Sequence, residues 1–360
     1  MNFEINMINV KDGDAIILTL EKKDRKALIV IDGGYKKYYS KIKKRLKQLL
    51  PRYGNKIDLL VCTHYDNDHL GGVEKILDEY HSVISEIWIH KIEDSLSKQE
   101  QYLKEEISRL QMVKDNDKSL RGYLDTGSSE IVLEAYKDLV RVVNKIREYG
   151  LEDITREVTR GDSLNGFEEF SVISPTKEYY NKYLEELKDE KYLKETQSLL
   201  LEQDLESKMT PLSEIYQEVL ETKNPCELLE TSSVSNSVSA TNMVSIVTSL
   251  KVGDRKILFT GDSGIESFTE QNILDDQIKD IEFLDLSHHG SKNNTSKELL
   301  EHFNPEVVFV SAKNGKNRPD KKLVECLGRK RAGNDIYVTN ENPETWYLKY
   351  NSDSEIAVVE

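Results

Sequence analysis

The first ninety residues alternate between short apolar runs and amphipathic stretches. The apolar runs are bounded by Gly, Asp and Asn turns and predict β-strands at residues 3–10, 15–20, 27–31, 57–62 and 84–89. The amphipathic stretches predict helices at residues 39–50 and 73–80, and in the first of these Ile42, Leu46 and Leu49 share one face. Strands that alternate with helices indicate a layered α/β domain.

Two later segments differ in composition from the first ninety residues. Residues 93–129 and 177–240 are charged and helix-favouring, so we expect two helical insertions. The second insertion ends in a stretch rich in Ser, Val and Asn, residues 231–241, which is typical of a flexible loop. A helix is expected at residues 130–149, and further strands at residues 154–158, 167–173, 244–250, 256–259, 283–286 and 307–310. We therefore expect one domain, residues 1–360, that is interrupted twice.

Composition narrows the class of protein. The chain has 360 residues and a formal net charge of −15, which argues against a protein that coats nucleic acid nonspecifically. No stretch has the apolar length of a membrane span and residues 1–10 lack a signal-peptide layout, so we expect a cytoplasmic protein. Cys62, Cys226 and Cys326 form no CxxC pair, and buried free thiols are the simplest expectation for them.

The polar turn after the strand at residues 57–62 concentrates groups that bind metals. His64-x-Asp66-x-Asp68-His69 places two imidazoles and two carboxylates within six residues. On a strand-to-helix turn, His64 and Asp66 can face one cation while Asp68 and His69 face another. This mixture of nitrogen and oxygen ligands suits zinc or manganese. The alternative is an Asp-rich turn that caps a helix and carries incidental histidines.

Three further sites support the metal interpretation, because each carries a ligand type at the end of an apolar strand. Asp262 lies in a Thr-Gly-Asp turn and could bridge two ions, although a turn Asp that binds its own backbone is the alternative. His288 and His289 offer a late imidazole, and one of them could support a ligand instead of binding metal. Asp32 precedes two glycines, and we interpret it as an acceptor that orients a ligand, with an ordinary turn as the rival.

In this order, these motifs resemble the metallo-β-lactamase fold superfamily. Within it, the sequence resembles the hydrolase domain of the competence DNA-uptake protein (ComEC type), but as a stand-alone relative without membrane segments. The resemblance rests on the His64–His69 motif, a Gly13-Asp14-Ala15 opening, Thr260-Gly261-Asp262 and Ser287-His288-His289-Gly290. It covers residues 1–92, 130–176 and 240–350 with gaps. It implies an α/β fold, an αββα metallo-β-lactamase sandwich with the metals at one edge and with two helical insertions.

The sequence departs from the superfamily pattern at two places. The separate middle histidine ligand has no obvious counterpart. Where competence-type domains tend to show Gly-His-Pro, this chain has Asn317-Arg318-Pro319. Arginine could bind phosphate there but could not donate a proton, which puts a histidine-dependent acid step in doubt.

We expect two divalent metal ions, zinc or manganese, as cofactors. The expected metal ligands are His64, Asp66, Asp68, His69, Asp262 and His288. Asp68 and His289 are the candidate catalytic residues, His289 as a substrate contact or proton donor, and the choice between His288 and His289 as the ligand is close to even. The candidates for orienting or substrate contacts are Asp32, Asn242, Ser245, Lys292, Asn293 and Arg318. For Asn242, Ser245, Lys292 and Asn293, ordinary turn and strand polarity is an equal alternative.

Two ions that activate one hydroxide favour a substrate whose transition state spreads negative charge. We therefore expect a phosphodiesterase. The resemblance to the competence-type domain points the same way and implies a nuclease or phosphodiesterase that acts on DNA or another nucleotide phosphodiester. One alternative is a hydrolase of a non-phosphate ester, thioester or lactam. Another is a component of a multi-protein defence or DNA-processing system that binds a protein partner through its helical insertions, although core packing is the commoner use of their tyrosines.

Overall fold

The computed structural model describes residues 1–90, 127–187, 226, 229, 238–312, 318–330, 335–338, 345–350 and 357–359. Within these ranges the strands form two sheets, one of eight strands and one of seven. The first sheet consists of β1 (Asn2–Ile8), β2 (Ile16–Lys22), β3 (Arg25–Ile31), β4 (Leu59–Cys62), β5 (Ile87–Ile89), β6 (Thr155–Arg156), β14 (Thr345–Tyr350) and β15 (Ala357–Val359). Its order is β15-β14-β1-β2-β3-β4-β5-β6.

The second sheet packs face to face on the first. It consists of β7 (Ser163–Leu164), β8 (Phe167–Ser174), β9 (Val247–Val252), β10 (Arg255–Phe259), β11 (Phe283–Asp285), β12 (Val307–Val310) and β13 (Asp335–Val338). Its order is β13-β12-β11-β10-β9-β8-β7. In both sheets the central strands that lead to the metal-binding motifs pair in parallel, β3 with β4 and β10 with β11.

Helices cover the outer face of each sheet. They are α1 (Tyr39–Leu49), α2 (Asn67–Leu70), α3 (Val73–Tyr80), α4 (Gly127–Glu148), α5 (Lys177–Leu187), α6 (Ala240–Met243), α7 (Glu266–Thr269), α8 (Lys297–Phe303) and α9 (Lys321–Lys330). The first outer core joins α1, α3 and α4 to the first sheet, and the second joins α7, α8 and α9 to the second sheet. The predicted αββα arrangement of layers is confirmed.

Alternation along β3 shows how the strand sequence builds this sandwich. Ala27, Ile29 and Ile31 face the second sheet, whereas Leu28 and Val30 pack against the helices. Because successive side chains of a strand point to opposite faces, a strand that is apolar throughout must be covered on both sides. The continuous apolar run of β3 therefore places it in the middle of a layered structure.

Most predicted elements lie close to their observed positions. The helix at residues 73–80 and the strand at residues 307–310 have the predicted bounds. Strands β7, β13, β14 and β15 were not predicted. Strand β14 pairs with β1 in antiparallel register, Met7 opposite Trp346, so the described carboxyl-terminal strands extend the sheet that the amino-terminal strand begins.

The prediction of free thiols is wrong for two of the three cysteines. Cys226 and Cys326 form a disulfide, while Cys62 is a buried free thiol. The two bonded residues are 100 positions apart in sequence. Only the packing of the chain around α9 brings them together, so their spacing gave no signal.

The predicted insertions lie largely outside the described residues, and so does most of the predicted loop at residues 231–241. Of the tyrosines proposed for partner docking, Tyr179, Tyr180 and Tyr183 are buried and pack in the chain's own core. The described helices include none that is both long enough and apolar enough to cross a membrane.

Candidate metal centre

The carboxyl ends of four strands, two from each sheet, meet at one edge of the sandwich. Asp32 follows β3 directly and His64 follows β4 after one residue, whereas Asp262 and His288 follow β10 and β11. Parallel strands of one sheet end at the same edge, so the two sheets present their loops to a shared cleft. Ligand atoms of His64, His69 and Asp262 lie within 4.8 Å of one another there.

Asp262 is the centre of the cluster, and its two oxygens face different histidines. Oδ1 lies 3.2 Å from His69 Nε2 and 3.8 Å from His289 Nε2. Oδ2 lies 3.4 Å from His288 Nε2 and 3.5 Å from His64 Nε2. The four imidazoles therefore form two pairs, one at each oxygen of a single buried carboxylate.

A second carboxylate accompanies each histidine pair. Asp66 Oδ2 lies 3.7 Å from His64 Nε2. Asp68 Oδ2 lies 3.2 Å from His289 Nε2. Since Asp262 contributes one oxygen to each side, both halves of the cluster offer two imidazole nitrogens and two carboxylate oxygens.

The backbone at His288 and His289 is left-handed, with φ of 51° and 57°. This conformation is costly for residues other than glycine, and strain of this kind is concentrated at functional sites. Here it directs two consecutive imidazoles to the same carboxylate. Gly290 continues the turn, and its carbonyl oxygen accepts a hydrogen bond from Asp320 N–H at 2.8 Å.

Three of the four histidines have a hydrogen-bonding partner at Nδ1. Thr63 Oγ1 lies 3.0 Å from His64 Nδ1. Asp32 Oδ2 lies 2.8 Å from His69 Nδ1, as expected of an orienting acceptor. Partners of this kind fix the ring orientation of metal-binding histidines and leave Nε2 for the ion.

The partner of the third histidine was not predicted. Asn294 Oδ1 lies 2.9 Å from His288 Nδ1, and Asn294 Nδ2 donates to the Asp262 carbonyl oxygen at 3.0 Å. Asn294 therefore couples two candidate ligands that come from different loops. Asn and Thr are common in turns for local reasons, so neither Asn294 nor Thr63 gave a signal in the sequence.

The charges of the cluster are strongly coupled. Burial alone would raise the pKa of Asp262, but the surrounding imidazoles, His288 foremost, hold its pKa well below the usual range. Burial would likewise lower the pKa of His69, but Asp262 and Asp32 raise it well above the ordinary value. Burial and the charge of Arg318 lower the pKa of His288 to about 3.

The buried polar atoms fit divalent cations. His64 Nε2, His69 Nε2 and Asp262 Oδ1 are buried, and none has a hydrogen-bond partner within the described ranges. Buried polar atoms are ordinarily paired, so orphans that converge on one point indicate a missing ligand. Mixed nitrogen and oxygen donors in this number suit zinc or manganese.

The other polar residues predicted for the site lie near this edge of the sandwich, and they differ in burial and in their hydrogen bonds. Asn242 and Ser245 are buried, and the backbone N–H of the next residue, Ile246, donates to the Thr63 carbonyl oxygen at 2.9 Å. Lys292 and Asn293 are half-buried beyond the histidine turn. Within the part of the chain that the structure describes, no hydrogen bond joins either side chain to a candidate ligand.

Arg318 lies close to the histidine turn, because the next residue, Pro319, packs against Gly290. Its half-buried guanidinium acts electrostatically on His288 and on Tyr35. No carboxylate of the described residues forms an ion pair with it. The position follows from the packing of its neighbour Pro319 against Gly290, where a Cβ would lie 2.7 Å from the proline side chain.

Residues 10–157 match the family model of the metallo-beta-lactamase superfamily. This part of the chain is similar to that superfamily. The matched region includes Asp32 and the whole His64–His69 motif, whereas Asp262, His288 and His289 lie beyond it. The structure joins these later residues to the matched part in one cluster.

Comparisons with other proteins add little detail. A solved structure described as a crystal structure of the hydrolase AbOPH in the beta lactamase superfamily is similar at 14% sequence identity with a TM-score of 0.32. The similarity covers 69% of this chain and 56% of that one, so this chain spans little more than half of that protein's length. No curated protein matches the sequence.

Proposed function

We propose that this protein is a metal-dependent phosphodiesterase that acts on a nucleotide phosphodiester. The proposal rests on the arrangement around Asp262. Each oxygen of this carboxylate faces two imidazoles, and one further carboxylate lies beside each pair of imidazoles. Such a centre can hold two divalent cations at one bridging carboxylate.

One ion would be bound by His64, Asp66, His288 and Asp262 Oδ2. The other would be bound by Asp68, His69, His289 and Asp262 Oδ1. The distances from Asp262 to the four imidazoles, none of which exceeds 3.8 Å, support this division. Among the described residues, the ligand atoms of Asp68, His69 and His289 lie within 4.8 Å of one another, and so do those of His64, His69 and Asp262.

Bound divalent cations would polarise a phosphoryl oxygen and lower the pKa of a water molecule. The protein's own residues prepare the site for this chemistry. Asp32, Thr63 and Asn294 orient three imidazoles, and burial of the cluster excludes bulk water from their Nδ1 atoms. The cations themselves would supply positive charge where the phosphate of a substrate would lie.

Arg318 supports phosphate as the anion. A guanidinium binds phosphate oxygens with two parallel hydrogen bonds, and this one is not neutralised by a described carboxylate. It lies on the side of His288, next to the centre. Arg318 would hold a non-bridging phosphate oxygen of the bound diester.

Ion pairs of the basic residues in and just before α1 favour a small or short diester over a long duplex. Lys36 pairs with Glu74, Lys43 with Glu79 and Arg45 with Glu4, at 2.8, 2.7 and 2.6 Å. Each ion pair neutralises a cation that a nucleic-acid backbone would need. The net charge of −15 argues in the same direction.

The test is a panel of substrates with purified protein and Mn²⁺ or Zn²⁺. It includes bis-p-nitrophenyl phosphate, cyclic dinucleotides, single- and double-stranded DNA, and RNA, with p-nitrophenyl acetate and nitrocefin for the ester and lactam alternatives. We expect metal-dependent cleavage of diesters that Asp68→Ala and His69→Ala abolish. Turnover of only the acetate or the lactam would replace phosphodiester by that class.

Arg318→Ala is expected to raise KM for the preferred diester by about 10-fold to 100-fold, with a smaller effect on kcat. The reason is the loss of a charge-assisted hydrogen bond of about 1.5–3 kcal/mol to the bound phosphate. Steady-state kinetics measures the change. Arg160→Ala is the matched control, because Arg160 is also half-buried but pairs with Asp275 at 2.5 Å. An unchanged KM in Arg318→Ala would remove this residue from the substrate site.

A further inference from the structure

His289 differs from the other three histidines of the cluster at its second ring nitrogen. His289 Nδ1 is buried and has no hydrogen-bond partner within 3.5 Å in the described residues. The atom that faces it is Asp14 Oδ1, at 3.8 Å, which is also buried and also without a hydrogen-bond partner there. Two orphaned polar atoms therefore face each other immediately behind a candidate ligand.

Asp14 is held in this place by backbone contacts with the ligand loops. Its N–H donates to the Asp68 carbonyl oxygen at 3.2 Å, and its carbonyl oxygen accepts from Gly34 N–H at 2.8 Å. Gly13 makes this approach feasible, because a Cβ there would lie 2.5 Å from the same Asp68 oxygen. The turn between β1 and β2 thus packs on the motif that carries Asp68 and fixes where the Asp14 carboxylate points.

The Asp14 carboxylate lies near both histidines on the Oδ1 side of Asp262, His69 and His289. Besides the 3.8 Å from Oδ1 to His289 Nδ1, Oδ2 lies 4.0 Å from His69 Nδ1. His69 Nδ1 already has Asp32 at 2.8 Å as its acceptor. The only orienting function left for Asp14 is therefore at His289.

We propose that Asp14 is the positioning residue for His289: its carboxylate accepts the Nδ1 proton and turns Nε2 toward Asp68 and Asp262. The proposal rests on the proposed function only in taking His289 as a metal ligand. With Asp14 included, each of the four imidazoles has one partner at Nδ1, namely Thr63, Asp32, Asn294 and Asp14. The inference gives a function to the Gly-Asp-Ala turn, whose aspartate also has an oxygen within 4.8 Å of ligand atoms of Asp262 and His289.

The experiment measures metal binding and ring spectra, not hydrolysis. Asp14→Ala is expected to lower the affinity for the ion held by Asp68, His69 and His289 by about 10-fold to 100-fold, as loss of an orienting partner does. The affinity for the other ion should not change. Mn²⁺ titration followed by electron paramagnetic resonance distinguishes one bound ion from a coupled pair. Asp14→Asn retains an acceptor oxygen and should recover part of the affinity.

Histidine-selective NMR tests the contact itself. In metal-free and Zn²⁺-loaded protein, the His289 Nδ1–H resonance should shift in Asp14→Ala, and the resonances of His64 and His288 should not. Glu266→Ala is the matched control, because Glu266 also has a buried oxygen without a hydrogen-bond partner, but its charged neighbours are Glu270 and Lys182.

Two results would overturn the proposal. One is an Asp14→Ala protein that binds both ions with unchanged affinity and has an unchanged His289 resonance. The other is equal weakening of both ions together with a lower Tm of the metal-free protein, which would show a purely structural contribution. Because no substrate enters the measurement, failure of the phosphodiester proposal would leave this result interpretable.

Discussion

Asp262→Asn is expected to lower phosphodiester hydrolysis by at least about 10³-fold, which corresponds to roughly 4 kcal/mol of lost transition-state stabilisation. Asn has nearly the shape of Asp, but it carries no charge and offers one oxygen instead of two. The substitution therefore affects both halves of the cluster, since Oδ1 faces His69 and His289 while Oδ2 faces His64 and His288. No other residue in the described part of the chain joins both pairs.

The measurement combines kcat/KM with the metal content of the purified protein. We expect Asp262→Asn to lose affinity for both ions and to stay inactive when metal is added in excess. Glu266→Gln is the control, because it neutralises another buried carboxyl four residues along the same chain segment. If Asp262→Asn retained two tightly bound ions and more than a tenth of the activity, the bridging assignment would be wrong.

Single substitutions of the two adjacent histidines are expected to remove different ions. His288→Ala should lose the ion held with His64 and Asp66, and His289→Ala the ion held with Asp68 and His69. Each should lower the rate by about 10²-fold or more, because a two-ion mechanism needs both. The pair is its own matched control, since the residues are neighbours in one left-handed turn.

Metal stoichiometry discriminates this arrangement from the alternative in which His289 contacts substrate or donates a proton. In that alternative His289→Ala would keep two ions and lose an ionisation from its pH–rate profile. In the arrangement proposed here, each variant binds one ion per chain and the profile keeps its shape. The distances favour the loss of one ion in each variant, because His289 Nε2 lies 3.2 Å from Asp68 and His288 Nε2 lies 3.4 Å from Asp262.

Much of the fold was predictable because its central strands are apolar on both faces. Strand β3 and helix α1 follow directly from local patterns of period two and 3.6. The strands that were missed have weaker signals. β7 has only two residues, and β14 gains its place by pairing with β1, more than 330 positions away.

The residues of the candidate site also differ in how clearly the sequence reveals them. The His64–His69 motif is visible because its six residues are consecutive and dense in ligand types. Asp262 and the two late histidines stand out because each follows an apolar strand. Asn294 does not stand out, because an asparagine in a turn is common for local reasons. Asp14 stands out only as part of the Gly13-Asp14-Ala15 opening, since its approach to His289 is made between loops of different strands.

Local patterns of residues are enough to predict the layered α/β architecture and the types of ligand, since both depend on residues that are near one another in the chain. The grouping of those ligands depends instead on contacts between distant segments. Which oxygen of Asp262 faces which histidine depends on two parallel strand pairs that end at one edge and on the left-handed turn at His288. The Cys226–Cys326 disulfide likewise joins two distant segments, because its cysteines are 100 positions apart in sequence. Contacts between distant segments are set by packing of the whole core, and no local pattern of residues encodes them.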